Sequence, residues 1–271
     1  MYGELFRTLS QEGYVIQSCL TIGLTELRKA NLNEKGRYYT AFFQLAIGIE
    51  RFAKLALILD HMAQNRLQAP GRPVVKGYGH DLRTLISNVS NIASARGHNL
   101  STPFPTDPLC TRVVAFLSDF ATGMRYANLD SLASGTSQRD PLREWNEILQ
   151  LTIASKVSGA TKHKINTQAT TIAEALEGHA AVFASDLAGN PLTLSSAFSE
   201  ASSLDTASKY LVWEICTLLS PLRDSVVSAG YAADAVAVSI NPQGERVPTL
   251  SEFFNFLWLD RNYVLRKKRW P

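Results

Sequence analysis

The sequence has little cysteine. Its three cysteines, Cys19, Cys110 and Cys216, are far apart, odd in number and not arranged as a CxxC pair. A disulfide framework and a thiolate metal site are therefore not predicted. Because unpaired cysteines are typical of a reducing compartment, we expect a cytoplasmic protein.

Long hydrophobic runs are also missing. No stretch approaches the roughly 18 consecutive apolar residues that indicate a membrane-spanning helix. The N-terminal "MYGELFRTLSQEGYVIQ" has no basic region followed by an apolar run, as a secretory leader would. We expect neither secretion nor a membrane partner.

Motifs for metals and cofactors are absent as well. His61, His98 and His179 each lack a second histidine or a carboxylate at zinc-ligand spacing. The "GYG" at 77–79 is too short for a dinucleotide loop, and neither a P-loop nor a nucleophile elbow occurs. We predict no metal and no cofactor.

Positive charge is unevenly distributed. Five of the 27 Lys and Arg residues fall within residues 261–271, which contain no acidic residue. The rest of the chain therefore has 22 basic and 24 acidic residues. The net charge of +3 therefore comes from the C-terminal end. Such a cluster can attract a polyanion by releasing its counterions, so a nucleic-acid surface would have to be local.

Helical periodicity dominates the chain. In "RYYTAFFQLAIGIERFAKLALILDHMAQNR", apolar residues recur at three- and four-residue steps, at Phe42, Leu45, Ile49, Phe52, Ala56 and Leu59. Further apolar residues widen this stripe, which is typical of a central helix. We predict one all-α domain, a multi-helix bundle with an enlarged helical second half. The predicted helices cover residues 3–30, 33–66, 81–96, 107–133, 140–187 and 192–229.

Start signals refine these helices. Asp140 followed by Pro141 predicts a helix start, and glycines at 159 and 178 weaken the helix that follows. Thr249 and Glu252 have capping-box spacing, which predicts a last helix from there through "FFNFLWLDRNYVLRK". Only "AVAVSI" at 235–240 suggests a strand.

A family resemblance rests on three stretches. "RYYTAFFQLAIGIERFAKLALILDH", then "GYGHDLRTLI" and "GMRYANLDSL", together resemble the HEPN superfamily of prokaryotic toxin, abortive-infection and phage-defence proteins. The resemblance covers about residues 30–133, and it implies a HEPN-like core over residues 1–133 with a terminal helix at 249–268. The helical extension at 140–248 resembles nothing that we can assign.

The resemblance implies a metal-independent ribonuclease site and a homodimer. The family signature is an arginine, a polar residue and, after four to six further positions, a histidine. Arg261 and Asn262 match the first two, but Arg266, Lys267 and Lys268 occupy the histidine positions. Arginine stays protonated and cannot act as the base, although it can stabilise charge on a phosphate. We therefore predict a degenerate site, in which the family likeness makes Arg261 and Asn262 the catalytic candidates.

The phosphate-binding candidates are the basic residues that follow this motif. They are Arg266, Lys267, Lys268 and Arg269. A helix C-terminus rich in Lys and Arg also complements the helix dipole, which is the alternative explanation. A second basic cluster at 155–166 lacks interleaved aromatic residues and is expected to be a solvated helix face.

His80 is the third catalytic candidate. It precedes a predicted helix, and the adjacent Asp81 could orient the imidazole or cap the first turn. His80 could act on RNA at the motif only if the last helix packs nearby, in the same or a partner subunit. Glu50 and Lys54 at i,i+4 form either a partly exposed structural pair or a buried pair that marks a pocket.

Three functions remain open. The first is a defence- or toxin-associated protein that binds RNA and cuts it slowly if at all. The second is a non-catalytic interaction or sensor subunit of an anti-phage complex, in which the basic end docks on an acidic protein partner. The third is the helical companion of a nucleotidyltransferase, for which the sequence has no isolated target tyrosine in the expected place, although Tyr263 lies within the motif.

Overall fold

The computed structural model describes residues 3–135, 139–258 and 260–271. Within these ranges the chain forms helices and no strand, with one isolated bridge between Ser185 and Pro191. The predicted all-α class is confirmed. The α-helices are α1 (Glu4–Lys29), α2 (Gly36–Gln64), α3 (Arg72–Gly77), α4 (Leu82–Arg96), α5 (Pro108–Thr122), α6 (Ala127–Ser134), α7 (Pro141–Lys156), α8 (Gly159–Ala175), α9 (Leu194–Ile240) and α10 (Arg261–Arg266). Two 3-10 helices cover Met124–Tyr126 and Leu250–Leu257.

Helix α2 is the central helix, as its wide apolar stripe predicts. It packs against α1, α4, α5 and α9. The approach of α1 depends on two glycines: a Cβ on Gly23 would lie 2.7 Å from the Leu45 side chain, and one on Gly48 would lie 2.7 Å from Leu20. The small residues therefore allow these two helices to pack closely.

Aromatic side chains join α2 to α5 and α7. The Phe42 ring lies 4.7 Å from Phe116, 5.4 Å from Phe120 and 4.9 Å from Trp145, measured between centroids. Aromatic pairs at such distances stabilise a core beyond the area that they bury. This cluster holds α5 in place beside the middle of α2.

Two helix starts are capped as the sequence predicts. Asp140 accepts a hydrogen bond from the Leu142 amide at 2.8 Å, with Pro141 in the first turn. Asp81 accepts from the Arg83 amide at 2.9 Å and caps α4. Each cap satisfies an amide that has no partner within the helix.

Two of the predicted helices are divided. The helix expected over 140–187 stops at Lys156, because Val157 is extended and Ser158 caps a new helix by accepting from the Thr161 amide at 3.2 Å. That second helix ends at Ala175, and residues 176–193 are irregular. The helix expected over 107–133 is divided at Gly123.

The prediction of a strand at 235–240 is wrong, because these residues form the last turns of α9. Ala233 and Ala237 are buried and Ala235 between them is exposed, whereas a strand face would bury every second residue. No partner strand is present in the described ranges to compensate for the loss of helical hydrogen bonds.

The prediction of a continuous last helix is also wrong. Thr249 makes no side-chain capping bond, and the 3-10 helix that follows ends at Leu257. Arg223 donates a hydrogen bond to the Leu257 carbonyl at 3.1 Å, and the next residue, Trp258, is no longer helical. Asp260 is extended and starts α10 by accepting from the Tyr263 amide at 2.8 Å. Leu259, within the predicted helix, lies outside the described residues.

Candidate functional site

The basic C-terminal residues belong to an anchored segment. We use the name terminal segment for residues 261–271. Val264 is fully buried where α10 packs on α9, and Trp270 is buried beyond it. The Trp270 amide donates to the Thr25 hydroxyl of α1 at 2.9 Å. Two buried side chains and one long-range hydrogen bond therefore hold the segment on α1 and α9.

Most of the charges of this segment face solvent. The Arg261 guanidinium lies 5.9 Å from the centre of the Tyr210 ring of α9. Among the described residues, none of its cationic side chains forms an ion pair with an acid. The exposed residues predicted for the site are Arg261, Asn262, Arg266, Lys268 and Arg269.

Lys267 differs from the other basic residues of the segment. Its ammonium donates to the Tyr263 hydroxyl at 2.9 Å and lies 5.7 Å from the centre of the Trp270 ring. These contacts are intramolecular and hold the side chain against the segment itself. Lys267 is therefore less free to contact an external phosphate than its neighbours.

His80 occupies a fixed position before α4. Gly79 precedes it with φ of 71°, a left-handed conformation that favours glycine. Asp81 follows it as the cap of α4 and also accepts from the Ser118 hydroxyl of α5 at 3.0 Å. The Arg83 side chain is the main cause that lowers the pKa of Asp81 to about 2, with further hydrogen bonds from Ser118 and the first-turn amides. The backbone around His80 is thus constrained on both sides.

Glu50 joins His80 to α2. His80 Nδ1 lies 2.9 Å from Glu50 Oε1, and Lys54 donates to the same oxygen at 2.8 Å. The side chains of Glu50 and Lys54 are 18% and 16% exposed. The i,i+4 pair expected from the sequence is confirmed, and it is partly shielded.

A cavity of about 350 Å³ opens beside His80. Helix α2 supplies one wall and the end of α5 another, with the 3-10 helix at Met124–Tyr126 completing it. The lining combines aromatic, aliphatic and charged side chains. They include Phe43, Ile47, Glu50, Arg51, Phe120 and Arg125.

The terminal segment and His80 make different contacts. The segment touches α1 and α9, whereas His80 touches α2 and lines a cavity completed by α5. No hydrogen bond, ion pair or ring contact within the described residues joins His80 to Arg261 or Asn262. The fold of a single chain therefore places His80 next to Glu50, but gives it no such contact with Arg261, the arginine of the motif.

The other sequence candidates have structural contacts. Lys156, in the second basic cluster, forms a 2.9 Å ion pair with Glu214, and the hydrogen bond that it donates to that carboxylate raises the pKa of the lysine. Asn128, within the "GMRYANLDSL" stretch, donates to the Tyr39 hydroxyl at 3.1 Å and ties α6 to α2. Burial lowers the pKa of the half-buried His98. In the part of the chain that the structure describes, no group of three His, Cys, Asp or Glu residues could hold a metal.

Two cavity residues were not predicted from the sequence to belong to a site. Arg51 and Arg125 line the cavity with His80, but they belong to different helical elements. Arg51 could have been found, because it lies beside Glu50 on the same helix. The location of Arg125 in the cavity could not be predicted, because it depends on how α5 ends, and the sequence does not show this.

Comparisons with known proteins give no relative. No protein-family model, no curated protein and no solved structure matches the chain. In the described ranges, none of the helices has both the length and the apolar character needed to span a membrane. The geometry of the terminal segment and of the His80 cavity is therefore the basis for any function.

Proposed function

We propose that this chain is a HEPN-like, defence- or toxin-associated protein that binds RNA through its terminal segment. In this proposal the ribonuclease motif of the segment is degenerate and the protein forms a homodimer. The family likeness of the α2 and α4 stretches and the charge of the segment support it. The observation that carries it is the exposure of four cationic side chains, Arg261, Arg266, Lys268 and Arg269, on an anchored segment.

Anchoring matters because it limits the entropy that binding would cost. A mobile basic tail must be ordered when it binds, whereas this segment is already held by Val264 and Trp270. Arginine can grip a phosphate with two parallel hydrogen bonds, which suits Arg261 and Arg266 to contacts with the RNA backbone. Such contacts supply affinity without base specificity.

The segment has cations but no proton acceptor suited to cleavage. Arg266 stands where the family signature has a histidine, and arginine keeps its proton at physiological pH. Loss of a general base typically lowers a rate about 10²- to 10⁴-fold. The proposal therefore assigns phosphate contacts to Arg261 and Arg266, a positioning hydrogen bond to Asn262, and no base to this surface.

The test compares Arg261→Ala with a matched control, Arg143→Ala. Arg143 lies on α7, is exposed and forms no ion pair among the described residues. Binding of labelled tRNA and of single-stranded RNA is measured in EDTA for both variants. We expect weaker binding for Arg261→Ala, unchanged binding for Arg143→Ala and equal thermal stability. Equal binding by all three proteins would contradict the proposal.

A second candidate is an interaction subunit of an anti-phage complex. Phe183 is 99% exposed in the irregular segment between α8 and α9, and Leu132 of α6 is 84% exposed. Exposed large apolar side chains suit contact with a protein partner. In this function, a protein encoded by a neighbouring gene should co-purify with the wild-type protein. Loss of this protein from the Phe183→Ser variant, with RNA binding unchanged, would favour this function. Retention of the partner by that variant would count against it.

A further inference from the structure

A second cavity, of about 370 Å³, lies where α2 and α4 end beside the second half of α9. This volume is in the range of small-molecule sites. The cavity shares no described lining residue with the cavity beside His80. Its polar lining residues are Asp60, Gln64, Arg96, His98, Asn99 and Ser228. The second cavity is therefore a separate and polar site.

An ion pair in this cavity leaves bonding groups unused on both sides. Arg96 Nε donates to Asp60 Oδ1 at 2.9 Å. Within the described residues, no hydrogen bond is made by the two terminal nitrogens of Arg96 or by the second carboxylate oxygen of Asp60. The Asp60 side chain is 14% exposed and the Arg96 side chain 42%, so a shielded anion lies beside an accessible cation. The pair can thus accept one group of each charge from a ligand.

The helix ends add to this charge pattern. Gln64 is the last residue of α2 and Arg96 the last residue of α4, and both line the cavity. Because a helix C-terminus has a partial negative charge, it favours a cation nearby. An ammonium group at Asp60 would therefore be close to a carboxylate and to two helix C-termini. The terminal nitrogens of Arg96 can donate two parallel hydrogen bonds to a carboxylate.

His98 supplies a third unused group. Its Nδ1 atom is shielded from solvent and has no hydrogen-bond partner among the described residues. Buried polar atoms are normally paired, so this atom indicates a missing partner. Burial lowers the pKa of His98, which keeps the ring neutral near pH 7 and able to accept or to donate. A polar group of a ligand can therefore bond to this ring.

The rest of the lining limits the kind of ligand. It consists of small residues, Ala63, Gly97, Ala229 and Ala232, and no described aromatic side chain lines the cavity. A nucleic-acid base would have no ring to stack on. A large apolar ligand would leave the polar lining groups without partners, which is unfavourable. The cavity is therefore suited to a small, polar molecule.

We propose that this cavity binds a free α-amino acid with a polar side chain. The ammonium group contacts Asp60, the carboxylate contacts Arg96, and the side chain reaches His98. An α-amino acid has both charged groups on one carbon. This short spacing matches Asp60 and Arg96, which are in direct contact, so the ligand bridges them without breaking their hydrogen bond. The site requires neither the terminal segment nor RNA binding.

The first test is calorimetry on the full chain at constant ionic strength. The probes are L-serine, L-asparagine and L-glutamine, with L-leucine and L-phenylalanine as apolar counterparts. At least one polar amino acid should bind, and more tightly than the two apolar ones. Absence of binding by all three polar probes would overturn the proposal, and so would tighter binding of an apolar one.

Analogues of the tightest polar probe test the need for both charges. For serine these are ethanolamine, which lacks the carboxylate, and 3-hydroxypropionate, which lacks the ammonium group. Each should bind about 10- to 100-fold more weakly, because one charged hydrogen-bonding group is lost. γ-Aminobutyrate, whose charges are farther apart, should also bind weakly. Equal binding of either analogue would show that the site recognises a single charge, contrary to the proposal.

Arg96→Ala has a matched control in Arg112→Ala. Arg112 also makes a 2.9 Å ion pair with an acid on another helix, Glu147, but it lies outside the cavity. Arg96→Ala should weaken binding of the amino acid about 10- to 100-fold, whereas Arg112→Ala should not, at similar melting temperatures without ligand. Equal affinity of the two variants would contradict the role of Arg96.

Two more variants test the other contacts. Asp60→Asn should weaken binding of the amino acid more than binding of the analogue without an ammonium group. His98→Ala should reduce the preference for a polar over an apolar side chain. An unchanged preference would contradict the contact with His98, and equal loss for both ligands in Asp60→Asn would contradict the contact between Asp60 and the ammonium group.

Failure of this inference is distinguishable from failure of the proposed function. Arg261→Ala should bind the amino acid as the wild-type protein does, and Arg96→Ala should bind RNA as the wild-type protein does. Loss of amino-acid binding in Arg261→Ala would contradict the location of the site between α2, α4 and α9. RNA binding without amino-acid binding would overturn this inference alone.

Discussion

The guanidinium of Arg223 lies 3.6 Å below the centre of the Trp258 ring. Arg223 is only 1% exposed, and it donates to the Asp224 carboxylate, the Leu257 carbonyl and the Ser101 hydroxyl. It therefore joins the middle of α9 to the residues that lead into the terminal segment. Arg223 therefore helps to position the proposed RNA-binding surface, together with Val264 and Trp270 within the segment.

Replacing Arg223 should destabilise the protein strongly. Arg223→Ala leaves the buried Asp224 carboxylate without its cation, a change that typically costs about 3–5 kcal/mol. Trp258→Ala removes only the stacking contact of a ring that is 62% exposed, and it should cost about 1 kcal/mol. Urea unfolding of both variants measures the difference. Equal small effects would show that the buried pair is not important for stability.

Asp81 should make stability sensitive to acid. Because its pKa in the folded protein is about 2, below the usual 3.8, its stabilising effect is fully present above about pH 4 and is lost as the pH falls toward 2. Asp81→Asn should be less stable at neutral pH and should lose less on acidification. Melting temperatures between about pH 5 and pH 2 test this. Parallel curves for the two proteins would contradict it.

The three thiols should differ in reactivity. Burial raises the pKa of Cys110 and of Cys216 to about 12, so neither forms a thiolate readily at neutral pH. Cys19 is partly exposed, although burial raises its pKa as well. In the native protein, iodoacetamide should modify Cys19 first, as followed by mass spectrometry. Faster modification of Cys110 or Cys216 would show that the core opens there.

Trp270 should control access to the terminal segment. Trp270→Ala removes a buried anchor, so the segment should detach more often from Thr25 and α9. Trypsin should then cleave after residues 266–269 faster than in the wild-type protein, while the rest of the chain stays resistant. Unchanged cleavage in the variant would mean that Val264 alone holds the segment.

Local signals predicted much of the fold. The apolar stripe of α2 and the cap at Asp140 depend on residues that are close together in the sequence, and both predictions are confirmed. The prediction of a continuous last helix was wrong. The helix ends where Arg223 of α9 donates to the Leu257 carbonyl across 34 positions, and a local sequence pattern does not show such a long-range contact.

The candidate site shows the same limit. His80 and Glu50 were each noted in the sequence, but their contact across 30 positions depends on how α4 begins beside α2. Arg125 joins them only because the aromatic cluster around Phe42 fixes the end of α5. Residue types indicated the chemistry, and packing decided which residues share a cavity.

The most direct measurement is the salt dependence of RNA affinity. A variant with alanine at Arg261, Arg266, Lys268 and Arg269 is compared with the wild-type protein over a range of salt concentrations. Four phosphate contacts to single-stranded RNA predict a slope of log affinity against log salt of about −3. We expect this slope in the wild-type protein and little residual binding in the variant, with equal thermal stability. The same affinity and slope in both proteins would contradict the assignment of RNA binding to the terminal segment.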